Sequence, residues 1–134
     1  MDQDLVILAL NARWGCAIPF GWVPIIGAGQ VPDTEIYSAQ AFDQLLKDLG
    51  PVIQRLYPGE LIEVREGGAV GRPDQEAACW GYDGQEYLYT NDTFDFVLYF
   101  SHEGTVTVGG RQLLAEIHRR WPAYRQHLWS GKLS

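Results

Sequence analysis

His102 and Glu103 stand side by side in the stretch FDFVLYFSHEGTVTVGG, Phe94 to Gly110. An imidazole beside a carboxylate is a combination that acid–base chemistry uses, because the unperturbed histidine pKa of about 6.5 lets the ring take and return a proton near neutrality. In an extended strand, however, neighbours in the chain point to opposite faces, so the two side chains share a site only if a turn brings them round. Gly104 supplies that turn. A three-residue loop of His102, Glu103 and Gly104, with Gly104 left-handed and Ser101 bonding the turn backbone, is a common way to close a β-hairpin. No nucleophile partner is identifiable for the imidazole, so no catalytic residue is assigned, and the pair is read as a hairpin tip that contributes to contact.

A second group is aromatic. Trp14, Phe20 and Trp22 fall in or beside the run CAIPFGWVPIIGAGQVPD, where Pro19, Pro24 and Pro32 restrict the backbone. Tryptophan anchors many binding hot spots, and a proline-ordered loop loses little entropy on docking, so these residues are candidates for a recognition surface. The alternative is that they lid the core. Gly27-Ala28-Gly29 resembles a phosphate-binding turn only superficially, since the third glycine and the following helix are missing.

The carboxylates form the third group. ELIEVRE alternates, placing Glu60 and Glu66 on the face of Ile62 and Val64 and Glu63 on the other, which gives no paired-carboxylate site. Glu63, Asp83, Asp92, Asp95 and Glu103 are instead candidate elements of a negative surface, with most carboxylates expected in solvent. His102, His118 and His127 are far apart and show no metal-ligand spacing, and Cys16 and Cys79 form neither a CxxC motif nor a zinc pattern. No metal or cofactor is expected, and the cysteines read as buried thiols.

The elements that must position these residues follow from periodicity. DLVILALNARW, Asp4 to Trp14, reads as a helix that Asp4 caps and Gly15 ends. Ser38 caps a helix with Phe42, Leu45, Leu46 and Leu49 on one stripe, Gly50-Pro51 breaks it, and a second short helix runs to Pro58-Gly59. From residue 60 the period becomes two: a strand over 60–66, an exposed loop GGAVGRPDQE, a hairpin of ACWGY and QEYLY about Asp83-Gly84, and the His102 hairpin, with Phe94, Phe96, Leu98 and Phe100 on one face. RQLLAEIHRRW then forms a helix with Leu113, Leu114, Ile117 and Trp121 inward, and AYRQHLW adds a further turn.

This order predicts one α+β domain, residues 1–134, with an antiparallel sheet of about five strands covered on one face by N-terminal and C-terminal helices. A chain of 134 residues can bury roughly two thirds of its unfolded surface, which is enough for one core. The 17 acidic residues against 10 basic ones give a net charge of −7, which repels nucleic acid and steers encounter with a basic protein. The aromatic run Trp80, Tyr82, Tyr87 and Tyr89 is accordingly read as cross-strand packing and not as a base-stacking platform. The MDQD start lacks the basic region of a secretory signal and no segment has the length of a membrane span, so a cytoplasmic location is expected.

In size, charge and aromatic content the chain resembles the small acidic α+β immunity proteins that accompany bacterial toxins. That resemblance implies a non-catalytic protein that binds a basic toxin or enzyme. A small enzyme or ligand-binding domain with a pocket near His102 and Glu103 is the alternative, and self-association is a third reading.

Overall fold

A computed structural model describes residues 3–15, 33–74, 78 and 80–128. Their centre is an antiparallel sheet of six strands: β1 (Thr34–Ser38), β2 (Ile62–Arg65), β3 (Val70–Gly71), β4 (Tyr87–Thr90), β5 (Val97–Phe100) and β6 (Thr105–Gly109), in the spatial order β1-β6-β5-β4-β2-β3. The α+β class with N-terminal and C-terminal helices is therefore as expected, with one strand more than five. Among the described residues no helix is long and apolar enough to cross a membrane.

Helices cover both faces of the sheet, not one. Strand residues alternate in direction, and β5 sends Leu98 and Phe100 to one core and Val97 and Tyr99 to another. The first core is closed by α2 (Ala39–Phe42), a 3-10 turn (Asp43–Leu45), α3 (Leu46–Leu56) and α4 (Arg111–Arg120). Leu113, Leu114, Ile117 and Trp121 all point into it, as the spacing predicts.

The second core is closed by α1 (Gln3–Trp14), whose Val6, Leu10 and Trp14 are buried one turn apart on the sheet. The Trp14 indole donates to the Phe94 carbonyl at 3.1 Å. Its ring lies so close over Gly109 that a Cβ there would come within 2.8 Å, so only glycine gives the indole this seat. Gly15, at φ 69°, ends α1 and returns its N–H to the Asn11 carbonyl.

Three local expectations change. The described residues of ACWGY do not pair with QEYLY; the neighbours of β4 are β2 and β5, and the Trp80 ring packs at a tilt of 45° against Tyr89 at a ring separation of 4.7 Å. The competing partner is the longer one, since β2 meets β4 over four residue pairs. Helix α3 continues through Gly50-Pro51, and the interruption falls earlier, in the 3-10 turn. Pro51 removes the donor that would reach the carbonyl of exposed Lys47, a position where solvent can substitute. Phe94 joins the α1 side and not the face of Phe96, because its φ of 56° breaks the alternation before β5 begins.

Candidate functional site

Strand register puts two sets of connections at opposite ends of the sheet. Val106 faces Phe100 and Tyr87 faces Phe100 and Arg65, so the 101–104 loop, the approach to β4 and the turn after β2 gather at one end. The start of α2 joins them, with its Ala39 N–H donating to the Gly104 carbonyl at 2.9 Å. The 91–96 turn, residues 60–61, Arg72 and the start of α4 lie at the other end.

His102, Glu103 and Gly104 form the tip of the β5–β6 hairpin. Gly104 takes φ 78°, and the buried Ser101 hydroxyl accepts the backbone N–H groups of Glu103 and Thr105 at 3.1 and 3.4 Å. His102 and Glu103 are both exposed. Their turn chemistry is the one read from the sequence.

The partner of His102 is not Glu103 but Glu86, sixteen residues earlier. Glu86 is buried. One of its oxygens accepts the Tyr99 hydroxyl at 2.6 Å, and the other accepts the His102 backbone N–H at 2.8 Å and pairs with His102 Nδ1. Burial alone would raise the Glu86 carboxyl, but the bonds from Tyr99 and His102 outweigh it and hold the group below its ordinary range. The same bond, with the Coulombic attraction behind it, raises the His102 imidazole. The sequence reading places most carboxylates in solvent, and Glu86 is an exception. It is buried because the approach to β4 runs beneath the hairpin tip, where Tyr99 and His102 supply its donors.

Glu63 is the second buried carboxylate. It accepts the Tyr89 hydroxyl at 2.8 Å and Arg65 Nε at 2.9 Å on the α3–α4 side of the sheet. Its two oxygens are thereby engaged within the fold, and its placement is structural.

Between the hairpin tip, α2 and the segment 80–82 lies an open cleft of about 530 Å3. Phe42, Leu46, Trp80, Tyr82, Phe100 and Val106 give it an apolar and aromatic wall, and the titratable side chains His102 and Asp43 also line it. Tyr82 is 49% exposed, the one aromatic of the Trp80–Tyr89 run that faces solvent to this extent. Asp83 follows Tyr82, accepts the Tyr87 hydroxyl at 3.0 Å and is exposed. Glu103 follows His102.

The charges of this end do not cancel. Arg65 is set against Glu63 and His102 against Glu86. Among the described residues no salt bridge is formed by Glu66, Asp83 or Glu103, although Glu103 and Glu66 act on the His102 imidazole through space. At the far end Arg72 bridges Glu60 and Asp92 at 2.7 and 3.0 Å, and Arg111 pairs with Asp33. Asp95 there is bound into its own turn by Asn91 and Thr93.

The candidate residues therefore separate. Asp83, His102 and Glu103 meet at the hairpin end, Asp92 and Asp95 sit at the far end, and Glu63 is interior. Trp14 is fully buried under α1 and serves the core. Phe20, Trp22, Cys16 and Cys79 lie outside the described residues. Sequence reasoning passed over Asp43, Trp80 and Tyr82 as parts of a site; the signal for Tyr82 was its place beside Asp83-Gly84, where an aromatic ring in a turn has no core to enter.

His118 pairs with Glu35 and stacks on Tyr124, and His127 stacks on Trp121. No group of histidine, cysteine or carboxylate side chains among the described residues is arranged to hold a metal ion. No protein-family model, curated protein or solved structure matches this chain.

Proposed function

We propose that this protein is a non-catalytic binding module that uses the hairpin end of its sheet to engage a basic protein, in the manner of an inhibitor or immunity protein. The observation that carries the proposal is a group of exposed carboxylates, Glu66, Asp83 and Glu103, that form no salt bridge among the described residues and stand at the same end of the sheet as an open aromatic cleft. Complementary charge accelerates encounter and selects the partner, and half-exposed aromatic side chains supply the contact area that charge alone does not. The net charge of −7 acts in the same direction over longer range.

Affinity capture from a native extract with the immobilised chain tests this. A basic protein should be recovered in stoichiometric amount at low salt and released progressively at moderate salt, because surface attraction is screened over a Debye length of about 8 Å at physiological ionic strength. Recovery of no such protein would overturn the proposal.

Two other readings each have an observation behind them. An imidazole oriented through Nδ1 by a buried carboxylate, beside a cleft, is also what a small enzyme or ligand-binding domain would present. His102→Gln separates the readings, since capture of a basic protein survives it under the binding proposal, whereas turnover or ligand binding through the imidazole does not. Self-association is favoured by Leu5 and Leu8 of α1, which are 54% and 67% exposed. A solution mass equal to one chain removes it.

A further inference from the structure

We infer that the cleft between the hairpin tip and α2 is a receptor for a single arginine side chain presented by the basic partner. The inference rests on the binding proposal above and adds the chemistry of the anchor. Three features point to a guanidinium. The cleft volume of about 530 Å3 falls in the range of roughly 300–1,000 Å3 typical of ligand pockets, so it admits a long side chain and not merely a surface contact. Its aromatic members, Trp80 and the half-exposed Tyr82, offer ring faces of the kind on which a planar cation stacks. Its charged surroundings are acidic in excess, with Asp43 in the wall and Asp83 and Glu103 adjoining lining residues in the chain.

Arginine suits this combination better than lysine. A guanidinium is flat, weakly hydrated and able to bond a carboxylate with two N–H groups while its plane lies on a ring, and its methylene stem can lie along Phe42 and Val106. An ammonium is a compact, strongly hydrated charge that gives up more solvation on entering an apolar wall. Among the described residues His102 is the one basic side chain lining the cleft. Its bond to Glu86 sets a carboxylate against the imidazolium charge, so the excess at the cleft remains negative.

The test uses the full chain labelled with 15N and three capped peptides, Gly-Arg-Gly, Gly-Lys-Gly and Gly-citrulline-Gly. The arginine peptide should produce saturable shifts in the Trp80 indole and the Gly81, Tyr82 and Gly104 amides, with weaker binding of lysine and little of citrulline. Tyr82→Ala, at an exposed position that leaves the core intact, should weaken the arginine peptide about three- to thirtyfold. Equal binding of citrulline, or shifts confined to the Arg72 end, would overturn the inference. A captured basic protein that leaves the Trp80, Tyr82 and Gly104 signals unmoved would overturn it while leaving the proposed function standing. Saturable arginine binding with no protein captured would do the reverse.

Discussion

Two clefts of nearly equal size lie at opposite ends of the sheet, about 530 Å3 beside His102 and about 520 Å3 beside Arg72, and they differ in almost everything except volume. The Arg72 cleft is built from Glu60, Leu61, Pro73 and Asp74, and its arginine already holds Glu60 and Asp92. The His102 cleft has an aromatic wall and carboxylates that form no salt bridge among the described residues. Concavity alone therefore does not mark a binding site. At the Arg72 end an arginine takes up Glu60 and Asp92, and among the described residues Asp74 and Asp95 are left without an ion pair; what the hairpin end adds is an aromatic wall beside its exposed carboxylates.

That comparison holds only if the charges decorate a scaffold set by packing. The largest effect should accordingly come from neither end. Trp14→Ala removes a fully buried indole and its bond to Phe94, and should cost about 3–5 kcal/mol in urea unfolding. A loss below about 1 kcal/mol would place α1 outside the cooperative core.

At the hairpin end, Glu86→Leu takes away the acceptor shared by Tyr99 and His102 and should cost about 1–3 kcal/mol, with Glu86→Gln recovering much of it. The same pair gives this end a pH dependence. A carboxyl lowered from 4.5 stabilises the fold above that value and loses its contribution as pH falls through the lower folded value. An imidazole raised from 6.5 stabilises the fold below that value and loses its contribution as pH rises through the higher one. The coupling is therefore full between about 4.5 and 6.5 and fades on both sides. An NMR titration should show the His102 pKa falling back toward its ordinary value in Glu86→Gln; an unchanged titration would mean that the carboxylate does not hold the ring.

The smallest effect belongs to the far end. Arg72→Ala breaks two exposed ion pairs and should change stability by about 0–1 kcal/mol. A larger loss would mean that the Arg72 cluster is a structural clamp and not a surface contact.

The sequence made the local parts legible. Helix α4 and the His102 hairpin follow from a three- and four-residue stripe and from one glycine in a turn, signals contained within a few residues. The two-residue strand β3 is too short to show alternation, and β1 was hidden because Ser38 was read only as a helix cap. Its backbone does occupy the cap position of α2, although its side chain makes no capping bond. The double covering of the sheet had a signal that went unused: YLYT and VLYF are nearly continuous apolar runs, the mark of strands buried on both faces. Once both faces are covered, alternation no longer tells solvent from core, which is why the burial of Glu63 and Glu86 was not legible. The Glu86–His102 bond joins residues sixteen apart through tertiary packing, and no local pattern encodes it.

The central claim is tested most directly by reversing charge at one end and then at the other. With the captured basic protein as titrant, Asp83→Lys/Glu103→Lys should slow association and weaken binding at least about tenfold, while Glu60→Lys/Asp92→Lys, with the same change in net charge, should shift it less than about threefold. Equal losses from the two pairs would show that net charge alone attracts the partner, and a greater loss from the Glu60 and Asp92 pair would contradict the assignment of the hairpin end as the binding face.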